Sequence, residues 1–159
     1  MFAIQPVVPY PDVYSEMLEV SRRETSENAR PAIKNTIADF DKYDVIFIGY
    51  PIWNGTCPMI IRTFTESYDF SGKTVIPFCT HAGSGLGSSV SAIRSQLQSA
   101  TVLNGLAVQG TTAQNNREET KNTVTKFIKD LNIDFSGRDE KSDEQALKEV
   151  YTLRLKAMV

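Results

Sequence analysis

Histidine, cysteine and tryptophan are scarce in this chain, and each scarcity narrows its chemistry. The single histidine and the two cysteines, Cys57 and Cys79, include no C-x-x-C and no Cys/His cluster, so they offer no pattern for a zinc centre. No run of Lys or Arg occurs and the formal net charge is -2, which removes the basic footprint of a nucleic-acid binder. No apolar stretch reaches the length of a membrane span. The opening MFAIQPVVPYP has neither the basic start nor the long apolar run of a signal peptide. The expectation is a reduced, cytoplasmic protein whose thiols are buried rather than paired.

Familiar nucleotide and hydrolase signatures are missing too. GSGLG is not G-x-G-x-x-G, and no acidic residue lies about 20 positions beyond it to hold a ribose. There is no G-x-x-x-x-G-K-[ST] for a P-loop and no G-x-S-x-G elbow for a serine hydrolase.

What is there is an alternation. The 159 residues suit one domain, and 41% hydrophobic with 23% charged residues is ordinary globular usage. FAIQPVV (2–8) reads as a short strand that Pro6 limits to an edge. Asp12 opens a polar helix with Tyr14, Met17 and Leu18 at helical spacing. Pro31 suits the first turn of a second helix carrying Ile33, Ile37 and Phe40. VIFIGY (45–50) and TVIPFCT (74–80) are too continuously apolar for half-exposed strands and read as parallel strands covered on both faces. Pro58 starts a helix that turns Ile60, Ile61 and Phe64 inward, and Val90, Ile93 and Leu97 mark another. LAVQG (106–110) is a weaker strand, and Asn116 with Glu119 caps a helix over 117–131. Such alternation makes a parallel sheet with helices on both faces. The one shift in composition, DFSGRDEKSDEQ (134–145), separates a domain over 1–133 from a linker and terminal helix over 134–159. Leu147, Val150, Tyr151, Leu155 and Met158 stripe that helix, to cover its own sheet or a partner chain.

Two loops stand out at the carboxyl ends of the two apolar strands, where open parallel sheets bind ligands. The first, PIWNGT, sets the only tryptophan beside an Asn-Gly pair. Trp53 offers a flat apolar plate, Asn54-Gly55 permits positive φ, and Thr56 adds a hydroxyl. The second, THAGSGLG, brings backbone close to a ligand through Gly83, Gly85 and Gly87, with His81 and Ser84 as polar atoms. Each feature also has an ordinary explanation: a Trp can cap a core edge, Asn-Gly is common turn chemistry, and a lone His is more often structural than catalytic. Neither cysteine has a basic neighbour in sequence to activate it. Two such loops at one rim favour a site over coincidence.

The stretches YDVIFIGYPIWNGTCP and SYDFSGKTVIPFCTHAGSGLGSS closely resemble the flavodoxin family, in particular a bacterial branch with a P-I-W-W-G loop and a T-H-x-G-S-G loop. The resemblance runs over about residues 1–132 and is densest over 43–90. It implies a flavodoxin-like doubly wound parallel sheet in three layers, α/β/α, with FMN at the switch point. Carried over, Pro51, Trp53, Asn54, Gly55 and Thr56 lie along one side of the flavin. Thr80, His81, Ala82, Gly83, Ser84 and Gly85 lie along the other. Asn54 stands where the branch carries a second Trp. Compared with the family, the chain opens at its second strand, so the first strand, the phosphate-holding loop and the first helix, roughly 30 residues, have no counterpart. GTTAQNN (110–116) is the nearest hydroxyl-rich loop.

Two functions follow from the resemblance. One is an FMN-binding electron-transfer or flavin-dependent reductase-type protein, with FMN held weakly and a redox protein or small molecule as acceptor. The other is a cofactor-free flavodoxin-like interaction or scaffold module, or a fragment of a longer natural chain. Without a central strand VIFIGY would keep an open apolar edge. Residues 2–8, the terminal helix or a second copy of the chain could fill it, and a homodimer is the favoured expectation.

Overall fold

The two long apolar runs lie side by side. In the computed structural model, which describes residues 2–133, β1 (Val45–Pro51) and β2 (Thr74–His81) pair in parallel, from Val45 opposite Thr74 to Pro51 opposite Thr80. On the other side of β2 stand β3 (Thr101–Val102) and β4 (Leu106–Gln109), both parallel to it. Parallel neighbours need crossovers, and helices supply them: α2 (Met59–Glu66) between β1 and β2, and α3 (Ser89–Gln96) between β2 and β3. α1 (Tyr14–Ser26) comes before the sheet, with α4 (Gly110–Asn115) and α5 (Arg117–Asp130) after it.

Pro77 explains why the outermost line of the sheet is broken in two. The Val75 carbonyl accepts from Leu103, so by the two-residue period of a strand Pro77 also faces that side. It has no N–H to give. Between Val102 and Leu106 the neighbouring chain leaves the ladder, and Gly105 lets it pass close to the Pro77 carbonyl.

Both faces of β2 are covered, while β1 buries only the face that carries Ile48 and Tyr50. Ile48, Tyr50, Val75 and Cys79 form one core with Ile61 and Phe64 of α2 and Ile93 of α3. Ile76 and Val108 face the other way by strand alternation and are buried outside that core, as is Val124 of α5. Ile76 is fully enclosed, which is worth about 2 kcal/mol of transfer free energy for such a side chain. The architecture is the three-layer α/β/α parallel sheet of a flavodoxin-like fold.

Two stretches depart from the sequence reading. Residues 2–8 form no strand of the sheet. Pro6 instead bridges Ile33 in antiparallel sense, with Val7 donating to the Ala32 carbonyl and Lys34 to that of Gln5. The same pairing corrects the helix expected from Pro31, because backbone engaged across a ribbon cannot also close helical turns. Ile33, Ile37 and Phe40 still reach the core, but from an extended segment: Ile37 donates its N–H to the Tyr68 hydroxyl at 2.8 Å, and only Phe40–Lys42 winds into a 3₁₀ turn. Phe40 stacks on Tyr68 with ring centroids 4.4 Å apart.

The outer edge of β1 carries no partner strand among the described residues, since the ribbon with 32–34 occupies residues 2–8. GTTAQNN, read as a loop, winds into the short helix α4. The linker over 134–145 and the terminal apolar stripe lie outside the described residues. Among the described residues, no helix is long and apolar enough to cross a membrane.

Candidate functional site

The chain leaves β1 through a tight reversal. Ile52 extends the sheet pairing by donating to the Thr80 carbonyl at 2.8 Å. Trp53 and Thr56 then exchange two backbone hydrogen bonds of 2.9 and 3.0 Å across Asn54 and Gly55. Both central residues have positive φ, 49° and 75°, which makes this the type I′ turn that Asn-Gly favours. Trp53 is half-buried and Asn54 exposed at the crest.

Outside residues hold this turn. Tyr10 meets the Trp53 indole edge-on, 4.9 Å between centroids at 80°. The Tyr10 hydroxyl donates to Glu24 Oε2 at 3.1 Å. Asn54 Nδ2 donates to Ser21 Oγ at 2.9 Å, and Ser21 is buried in α1. Partial burial raises the Glu24 carboxyl above the ordinary range, against a smaller downward pull from the Tyr10 hydroxyl and Arg23. Burial and the neighbouring Glu24 push the Tyr10 phenol upward, so it keeps the proton it donates.

The loop after β2 is shaped by its own backbone. Gly83, Gly85 and Gly87 all have positive φ. Gly83 donates its N–H to His81 Nδ1 at 3.0 Å. Ala82, Gly83 and Ser84 are exposed, and nothing lies within 4 Å of where a Cβ would stand on Gly83 or Gly85.

The two loops touch. Ser88 donates its N–H to the Gly55 carbonyl at 2.8 Å and its hydroxyl to the same oxygen at 3.3 Å. Gly87 packs flat against Gly55, where any side chain would strike that carbonyl. Pro51, Trp53, Asn54, Gly55 and Thr56 thus stand beside Thr80, His81, Ala82, Gly83, Ser84 and Gly85 along one rim.

Below the rim lies a protonated layer. Tyr50 donates to Ser89 Oγ at 2.9 Å, and Ser89 passes its hydrogen to the Leu86 carbonyl at 2.6 Å. Burial pushes the Cys79 thiol up to about 11 and raises Cys57 as well, against smaller pulls from the Thr56 hydroxyl and Arg62. Thiols so placed stay neutral and are not poised as nucleophiles, and that of Cys79 donates weakly to the Gly85 carbonyl at 3.6 Å.

Sequence reasoning missed Tyr10, Ser21, Glu24 and the Tyr50–Ser89 pair. Tyr10 and Ser21 reach the turn from more than 30 positions away in sequence, and no local spacing encodes that contact. An unassigned tyrosine beside a polar helix was the only signal.

A family model described as Flavodoxin matches residues 1–127. Among solved structures, a putative flavoprotein from Bacteroides eggerthii DSM 20697 is 35% identical, covering 67% of this chain and 70% of that one, with a TM-score of 0.62. A putative flavoprotein from Bacteroides uniformis ATCC 8492 is 34% identical, covering 67% and 71%, with a TM-score of 0.61. A flavoprotein from Lactobacillus acidophilus NCFM, crystallised in complex with FMN, shares the fold at 22% identity, covering 70% and 74%, with a TM-score of 0.54. Among curated proteins nothing matches.

Proposed function

This chain belongs to the flavodoxin family, and from that premise we propose that it binds FMN between the Trp53 turn and the glycine loop and serves as an electron carrier or flavin-dependent reductase. One observation carries the proposal: two exposed crests at the carboxyl rim of a parallel sheet, joined through the Gly55 carbonyl and Ser88, one with a half-buried indole and the other with open backbone. The residues present fit a flat heterocycle. Trp53 supplies a stacking surface, and the space around Gly83 and Gly85 admits a ring edge to the backbone. Thr80 and Ser84 would add hydroxyls for polar ring atoms, and the Asn54–Gly55 peptide would offer a backbone hydrogen bond to the ring.

Bound FMN would supply the redox chemistry. The chain's own part is to bind, orient and exclude water. Its neutral thiols and the Tyr50–Ser89 pair keep the floor of the site free of charge, which favours an uncharged ring over a charged one. The acceptor would be a redox protein or a small molecule, in a reducing compartment such as the cytoplasm, where two free cysteines persist. Among the described residues no strand pairs with the outer edge of β1, which supports a homodimer, and sedimentation at micromolar concentration tests it by showing either two copies or one.

Titration of the purified chain with FMN tests the main reading. Saturable quenching of flavin fluorescence, a shifted visible spectrum and a melting temperature that rises with FMN are expected. A chain that stays colourless and leaves excess FMN unquenched overturns it.

A further inference from the structure

The type I′ turn needs no help to keep its shape. Asn54 and Gly55 supply the positive φ values, and two backbone hydrogen bonds close the reversal. Yet three further groups from outside are spent on it: the Tyr10 ring against the indole, the Ser21 hydroxyl on the Asn54 amide, and Glu24 on the Tyr10 hydroxyl. These contacts do not shape the turn. They fix where it stands and how the Trp53 plane is tilted.

The polar choices point the same way. Ser21 is 3% exposed, and a buried hydroxyl in a helix is normally satisfied within its own turn. Here its oxygen accepts from another element. A partly buried glutamate behind a tyrosine is costly when apolar contact would serve as glue, but it sets the ring's orientation. Together these contacts make the Tyr10 segment and the second half of α1 an outer wall beside the indole.

Resting on the flavin reading above, we propose that Tyr10, Ser21 and Glu24 are positioning residues, which hold the Trp53 indole in the plane that a flat heterocyclic ligand meets. They act through Trp53 and Asn54 without touching the ligand. The specificity they confer is for ring shape: a preset indole favours a rigid planar ring, since little ordering remains to be done on binding.

Trp53 is the only tryptophan in the sequence, so its fluorescence reports the indole directly in the full chain without any flavin. In Tyr10→Leu the emission should shift to the red and acrylamide quenching should rise, while far-UV dichroism stays unchanged. FMN should bind about tenfold more weakly in that variant, and about threefold more weakly in Tyr10→Phe, which keeps the ring and loses the Glu24 bond. Ser21→Ala is the milder second variant, safe for the fold, and should raise quenching by a smaller step. Wild-type emission and quenching in folded Tyr10→Leu and Ser21→Ala would overturn the proposal. So would a freed indole that leaves FMN affinity unchanged. A wild-type chain that ignores FMN overturns the flavin reading instead, and the quenching series alone then decides whether these residues hold the indole.

Discussion

The two loops of the rim reach order by opposite routes. The Trp53 turn has a common local shape and is placed by side chains from far away in sequence, Tyr10 and Ser21. The glycine loop is bonded by side chains of its own flanks, the Cys79 thiol on the Gly85 carbonyl and the Ser89 hydroxyl on that of Leu86. Its path is set by three glycines at positive φ, a hydrogen bond from Gly83 to His81, and contact with the turn through Ser88. One loop is positioned by tethers and the other by backbone geometry. A mutation should therefore hurt the first by cutting a contact and the second by adding an atom.

Gly87 is where adding an atom should cost most. Its φ is 52°, a conformation unfavourable for a residue with a Cβ, and that Cβ would strike the Gly55 carbonyl, whose carbon lies 2.8 Å from the ideal position. Gly87→Ala should destabilise the chain by about 3 kcal/mol, strain and clash together, and part the two loops. Gly85 has a similar φ of 61° but open space around it. Gly85→Ala should cost only about 1 kcal/mol, from conformation alone. Urea unfolding of the pair measures the difference. Equal losses would mean that the Gly55–Gly87 contact does not join the loops.

The same contrast governs how much could be read from sequence. TVIPFCT announced itself as a doubly covered parallel strand, because burial on both faces demands an unbroken apolar run. VIFIGY pairs in parallel as read, but it buries only Ile48 and Tyr50, on one face, and leaves Gly49 exposed on the other. The glycine loop was legible for the same reason, since its conformation is written in residue types that permit it. Asn116 accepting from the Glu119 N–H, as capping sequences do, was legible too. Failures came where a distant partner decides. Ile33, Ile37 and Phe40 have helical spacing, yet Pro6, Gln5 and Tyr68 claim the backbone around them. Spacing records which residues go inward, and an extended segment can send the same three inward. The tethers of the Trp53 turn belong to this class. The break in the outer strand also does, since it is dictated by Pro77 on the neighbouring one.

Asn54 separates tether from shape. Asn54→Gly keeps the positive φ and loses only the bond to Ser21, so a cost of about 1 kcal/mol is expected. Asn54→Ala also loses the left-handed preference and should cost about 2 kcal/mol. If the glycine variant is as stable as wild type, the Ser21 contact places nothing. If it is as damaged as the alanine variant, the tether outweighs the turn.

The smallest effect is a pH dependence that a carboxylate brings to the tethered loop. Residues 80–88 contain no carboxylate, whereas Glu24 stands behind Tyr10 on the tethered side. Its carboxyl is raised in the folded chain, first by burial, with the Tyr10 bond and Arg23 pulling it back. The folded state therefore binds this proton more tightly than the unfolded state. The stabilisation it contributes is complete below the ordinary glutamate value and is lost as pH rises through the folded one. Glu66 and Asp69 are shifted the other way, so their contributions are lost only as pH falls, in a lower window. Glu24→Gln keeps an acceptor for Tyr10 and removes the titration. The urea midpoint of wild type should decline slightly relative to that of the variant as pH rises above the ordinary glutamate value of about 4. Trp53 emission should titrate over the same range in wild type and stay flat in Glu24→Gln. Emission that titrates alike in both would mean that charge at Glu24 does not reach the indole, and the tethered loop would then be held by the Tyr10 ring and Ser21 alone.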